Sequence, residues 1–87
     1  SYTIAFKYLA AGETEGVFSF NPKNVKVKSD IPPGTPIKLT KTGNEWKQFT
    51  GTITVTQGNG HLDINFQNHT SSAGNALYLR DVMVTEN

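Results

Sequence analysis

The chain of 87 residues carries eight Lys and Arg against seven Asp and Glu, a net charge of +1, and no cysteine. Such a length holds one domain, the lack of cysteine excludes disulfides and thiol chemistry, and the near-balanced charge argues against electrostatic capture of nucleic acid or anionic lipid. No apolar run approaches the ~20 residues of a membrane-spanning helix, no signal-peptide pattern is visible, and Ser1 reads as a mature or trimmed start.

In chain order, 2–9 (YTIAFKYL) places Tyr2, Ile4, Phe6 and Tyr8 on one face and Thr3, Ala5, Lys7 and Leu9 on the other, the period of two that marks a strand. The stretch 10–16 reads as a connection. Residues 17–20 form a short strand that ends at Asn21-Pro22, a turn signal, and Val25 and Val27 alternate with polar residues in the next strand. The stretch 29–36 contains Pro32, Pro33, Pro36 and Gly34, so it reads as a loop or a sheet edge. Ile37 and Leu39 define a further strand. Thr42-Gly43-Asn44 turns into 45–55 (EWKQFTGTITV), with Phe49, Ile53 and Val55 on one face and Gln48, Thr50, Thr52 and Thr54 on the other. Its β-branched content suits the central strand. QGNG at 57–60 reads as a tight turn, because Gly and Asn tolerate positive φ. The run 61–67 then completes a hairpin, with Leu62, Ile64 and Phe66 inward and His61, Asp63, Asn65 and Gln67 outward. The polar stretch 68–75 reads as a mobile connection, and 76–85 as the last strand.

Seven strand candidates with no amphipathic helix, spaced by eight glycines and four prolines, predict an all-β fold: one domain over 1–87, an antiparallel, jelly-roll-like β-sandwich. The lysines between Lys23 and Lys47 alternate with apolar residues and read as solvated strand faces rather than a phosphate-binding patch.

Three segments resemble a known family. SYTIAFKYLAAG is similar to the early Tyr-Thr-hydrophobic-Ser-Phe strand, with its small-residue loop, of the sandwich carbohydrate-binding modules grouped around families four, nine and twenty-two. EWKQFTGTITV resembles their tryptophan-led strand, and ALYLRDVMVTEN resembles their closing hydrophobic-Tyr-Ile-Asp-Asp/Asn-Val strand. Order and spacing agree across nearly the whole chain. Family members run longer and begin with extra N-terminal strands, so the resemblance implies a shortened version whose open edge is completed by a homo-oligomer or a neighbouring chain. Acidic residues near the chain ends hold structural calcium in such modules. Here Arg80 stands where an acid is common and Asp81 is alone, a poor set for an ion that takes about six to eight oxygens, so no cofactor is expected, with a structural calcium as the lesser alternative. The resemblance implies a non-catalytic appendage of a polysaccharide-degrading enzyme or of a phage tail or baseplate protein, located extracellularly or on the virion, with a polysaccharide or cell-surface glycan as partner.

Sugar binding needs an aromatic ring against the C–H face of the pyranose and polar groups for its hydroxyls. His61, Asp63, Asn65 and Gln67 supply the second on one strand face, with Gln48 and the threonine row expected to extend it. The plain alternative is a solvated face. Trp46 is a candidate platform or a plug over the core edge. Tyr78 is a second platform or a half-buried core residue. Arg80 is positioned to grip a sugar acid or phosphate, or to pair with Asp63 or Glu86. Tyr2 and Tyr8 read as core. Asn68-His69-Thr70 matches a glycosylation sequon.

Catalysis finds no foothold. His61 and Asp63 share a face without a third or fourth metal ligand, no glycine loop precedes a helix, and no pair of acids is singled out for glycosidic cleavage. Two competing readings remain: a structural or assembly domain of a virion tail or surface appendage, and an immunoglobulin-type adhesion domain. The second lacks the Cys and Trp framework and ranks last.

Overall fold

The computed structural model describes residues 1–70 and 73–87, and among them it is all-β, with no helix. Five antiparallel strands form one sheet: β1 (Tyr2–Ala11), β2 (Glu15–Ser29), β3 (Ile37–Thr40), β4 (Lys47–Asn68) and β5 (Ala76–Glu86), in the order β3-β2-β4-β1-β5. The run led by Trp46 is therefore part of the central strand, as its pattern suggests. The expectation of seven strands is corrected to five, and the hydrogen bonding joins them in one sheet rather than two. The polar stretch 68–75 includes Ser71 and Ser72, which lie outside the described residues.

The two strands lost from the count are absorbed into neighbours. Asn21-Pro22 is not a turn: Pro22 sits inside β2, opposite Leu62. Two residues earlier, the carbonyl of Phe20 accepts Gly34 N–H from the following loop at 2.8 Å, so the even-numbered backbone groups here point away from β4. The missing N–H of Pro22 thus faces the open side of the strand, where no ladder bond is lost.

QGNG is not a turn either. Gln57 and Gly58 pair with Lys26 and Val25, and His61 pairs with Lys23, so the stretch is an irregular corner inside a continuous ladder. The register shifts at Lys23/Val25 and Lys26/Val27, and Asn24 and Gly58 take φ of 59° and 101°. Of the stretch itself only Gly58 uses positive φ, and it supplies it, with Asn24 across on β2, to a bulged bend instead of a hairpin loop.

The bend decides the shape. A 22-residue strand would run to roughly 70 Å if straight, at ~3.3 Å per residue, but the longest dimension of the molecule is 43 Å. The paired β2–β4 ribbon folds over. Phe49 and Phe66, near opposite ends of β4, both lie 5.0 Å from the ring of Phe6. One half of the sheet (β1, β5 and the start of β4) thereby faces the other (β3, the start of β2 and the end of β4). The core between them is Ile4, Phe6, Phe18, Phe20, Ile31, Leu39 and Ile53, all buried. The roll is stitched shut beyond β3, where Thr42 N–H donates to the Ala10 carbonyl at 3.2 Å and the Thr42 hydroxyl accepts Ala10 N–H at 3.3 Å. Thr14, also buried, sets its hydroxyl against the carbonyls of Ala11 and Ala76.

Ile31 is a core residue on the proline-rich loop. Asp30 anchors it, accepting Thr52 N–H at 2.7 Å through Oδ1 and donating its own N–H to the Thr52 carbonyl at 3.2 Å. The Ile31 side chain fills the space above Gly51, where a Cβ would stand 2.3 Å from Ile31 Cδ1. Ile31→Ala is expected to cost about 2–4 kcal/mol by emptying this space. Chemical denaturation measures it; a loss below about 1 kcal/mol would mean that the loop is loosely attached.

Candidate surface on the outer face of the β4–β1–β5 half

Cross-strand partners point to the same face of a sheet, so the register fixes which side chains are neighbours. Lys7 on β1 is opposite Gln48 on β4 and Arg80 on β5, which makes a row Gln48–Lys7–Arg80. Leu9, two residues on, shares that face and is opposite Tyr78; Trp46, one residue before the Lys47–Tyr8 pair, stands on its other side. The second row is therefore Trp46–Leu9–Tyr78. Phe6, Ile4 and their partners Phe49 and Gly51 point the other way, into the core. Trp46, Gln48, Tyr78 and Arg80 meet on one exposed sheet face.

Trp46 is 41% and Tyr78 53% exposed. Neither plugs the core edge or lies half-buried within it, so those two alternatives fall. Arg80 does not pair with Asp63 or Glu86. Its guanidinium carbon lies 5.4 Å from the centroid of the Trp46 ring, within cation–π range, and its Nε is 3.6 Å from Oδ2 of Asp81. The same carboxylate oxygen is 3.9 Å from Lys7 Nζ. Asp81 reaches this position because it sits in a bulge, where Asp81 and Val82 together oppose Phe6, and it takes φ of 54°. Toward the other end of the face the polar surface continues through Thr50, Thr52 and Thr54. Thr54 exchanges a hydroxyl hydrogen bond with Ser1 at 2.9 Å, and Thr3 donates to Asn87 Oδ1 at 3.0 Å.

The other four candidates lie elsewhere. His61, Asp63, Asn65 and Gln67 are opposite Lys23, Asn21, Ser19 and Val17 of β2, on the outer surface of the second half. The two halves pack core face to core face, so their outer surfaces point in opposite directions. Gln48 and the threonines do not extend the His61 row. This row has no aromatic partner on β2, and its groups bond one another: His61 Nε2 lies 3.2 Å from Asp63 Oδ1, and His69 Nε2 lies 2.8 Å from Gln67 Oε1. His69 is held, its N–H donating to the Glu15 carbonyl at 2.9 Å.

A concavity of about 350 Å³ opens at the Tyr2 end of β1, walled by Tyr2, Val25, Val55, Leu62 and Val84, with His61 at its rim. It is well separated along β1 from the Trp46 and Tyr78 rows.

Lys7 and Asp81 join the candidate surface only through register. Lys7 reads in sequence as one more polar residue on an alternating strand, and nothing local places it between Gln48 and Arg80. Comparison of the chain with protein-family models, with curated proteins and with solved structures gives no match.

Proposed function

We propose that this chain is a non-catalytic glycan-binding domain of a larger extracellular or virion-borne protein, such as a phage tail host-recognition protein or a polysaccharide-degrading enzyme. In this reading the rolled sheet serves as a jelly-roll-like sandwich and the outer face of its β4–β1–β5 half as the binding surface. One observation carries it: Trp46 and Tyr78 are exposed in the same row of one sheet face, with Gln48, Lys7 and Arg80 in the row beside them. Aromatic area for the apolar face of a pyranose and planar hydrogen-bonding groups for its hydroxyls are what a sugar site needs. Tyr78 is the more open platform, because Arg80 lies over the Trp46 ring.

Titration against a panel of bacterial cell-wall and plant polysaccharides tests it, read by fluorescence of the single tryptophan and by amide NMR. Shifts should cluster at Gln48, Tyr78 and Arg80 and spare Asn65 and Gln67 on the opposite surface. Tyr78→Ala should weaken binding by about tenfold, equivalent to about 1.4 kcal/mol, with the amide spectrum otherwise unchanged. A panel without a binder, or shifts confined to the His61 row, would reject this surface.

A second reading, an assembly domain of a virion tail or surface appendage, is favoured by the free edge of β5. Val82, Met83 and Val84 are all exposed there, and among the described residues no strand pairs with β5 on that side. A concentration-dependent oligomer in light scattering, combined with silence toward glycans, would select it.

A further inference from the structure

We infer that the Trp46–Tyr78 face takes a carboxylated sugar, a uronic or related acid within a glycan chain, rather than a neutral one. The inference rests on the glycan-binding reading and adds the chemical class of the ligand. Lys7 and Arg80 are direct cross-strand partners. Two like charges opposite each other destabilise a sheet, so the pair carries a local cost unless an anion lies between them. Asp81 supplies that anion in part. One carboxylate serves two cations, and its contacts are long, 3.9 Å to Lys7 and 3.6 Å to Arg80, outside hydrogen-bond range. The three side chains are 43%, 57% and 56% exposed, so the cluster is open to solvent and keeps one positive charge uncompensated.

Arg80 is also held ready. The guanidinium carbon stands over the indole of Trp46, 5.4 Å from the ring centroid and within cation–π range. Its N–H bonds lie in the guanidinium plane and form a fork that can grip a carboxylate with two parallel hydrogen bonds. Among the described residues no hydrogen bond occupies that fork. A sugar acid resting on Tyr78 would place its carboxylate between Arg80 and Lys7, with Gln48 on the far side of Lys7 for hydroxyls. Asp81 then competes with the ligand for the same cations.

This competition gives the test its sign. Binding of polygalacturonate, alginate and hyaluronan is compared with binding of the carboxyl-reduced form of each, by calorimetry and amide NMR, for the native chain and for Lys7→Gln, Arg80→Gln and Asp81→Asn. At least one acidic chain should bind about tenfold or more tighter than its reduced form, and the advantage should shrink as salt is raised, because exposed charges are screened over ~10 Å at moderate ionic strength. Lys7→Gln and Arg80→Gln should each remove most of the advantage. Asp81→Asn should strengthen acidic binding several-fold; asparagine tolerates the left-handed backbone that Asp81 adopts, so the bulge survives. Equal binding of acidic and reduced forms, failure of all three acidic chains, or weaker binding by Asp81→Asn would overturn the inference. If neutral glycans titrate at Trp46 without an acidic advantage, only the acidic preference falls. If nothing titrates at all, the glycan-binding reading falls with it.

Discussion

Gly60→Ala should lower the stability of this domain by about 3 kcal/mol or more, a large share of what a domain of this size has to lose. The reason is contact between backbones. A Cβ on Gly60 would stand 1.7 Å from the Lys23 carbonyl oxygen and 2.8 Å from its carbon. No rotamer relieves that overlap, since both sides are main chain; β2 and β4 have to part at the corner where the ribbon folds over. Gly58→Ala should be of the same order, with a Cβ 2.4 Å from the Asn24 carbonyl oxygen and a backbone at φ 101° besides. Gly43→Ala is the matched control. Its φ is 68° but nothing lies within 4 Å of the added carbon, so only the left-handed strain of about 1–2 kcal/mol applies. Urea midpoints of the three variants measure the differences. Were 57–60 a solvent-exposed hairpin turn, Gly60→Ala would be mild and no worse than Gly43→Ala, and that result would reject the continuous ribbon.

That contrast also marks where the sequence is legible and where it is not. Side-chain alternation is a local property, and it assigns inward and outward faces correctly over 2–9, 48–55 and 61–67, including Phe6, Phe49, Ile53 and Phe66. Corners are less legible. A Gly-Asn stretch says that positive φ is needed, but a hairpin loop and a bulged bend both need it, and only the pairing partner tells them apart. Here β2 continues past the corner as well, carrying Pro22 with its nitrogen toward the open side, so the two turn signals at 21–22 and 57–60 mark one fold in one ribbon. Ile31 hides for a different reason. A single apolar residue among prolines has no period, and its burial depends on Gly51, twenty residues away, leaving room for it.

The candidate surface divides along the same line. Tyr78 and Arg80 fall in phase on one strand, as Trp46 and Gln48 do on another, and both phases can be read directly. That the two strands flank β1, and so bring Lys7 between Gln48 and Arg80, is a matter of sheet order. The His61 row is equally regular in sequence and ends on the opposite surface, because the ribbon folds between Thr54 and His61. Regular alternation places a residue on a face of its own strand; the bend decides which way that face looks.

Phe6→Ala should cost about 3–5 kcal/mol, the range expected when a buried aromatic side chain is deleted. The ring is 1% exposed and lies where the two halves of the sheet meet. It stacks on Phe49 at 5.0 Å with planes 20° apart, meets Phe66 edge-on at 5.0 Å, and packs against Phe18 at 5.1 Å and Tyr8 at 6.1 Å. Phe49 belongs to one half of the sheet and Phe18 and Phe66 to the other, so the deletion removes contacts across the roll as well as along a strand. Collapse of the cavity is opposed by the rings packed round it, Phe18, Phe49 and Phe66, which belong to strands paired into one sheet. The loss should therefore fall at the upper end of the range. A double-mutant cycle separates this from simple loss of apolar area: Phe6→Leu with Phe66→Leu should show a coupling of about 0.5–1.5 kcal/mol, as expected for an aromatic pair in contact. Additive effects would mean that the rings do not meet in solution and that the two ends of β4 are not folded together over Phe6.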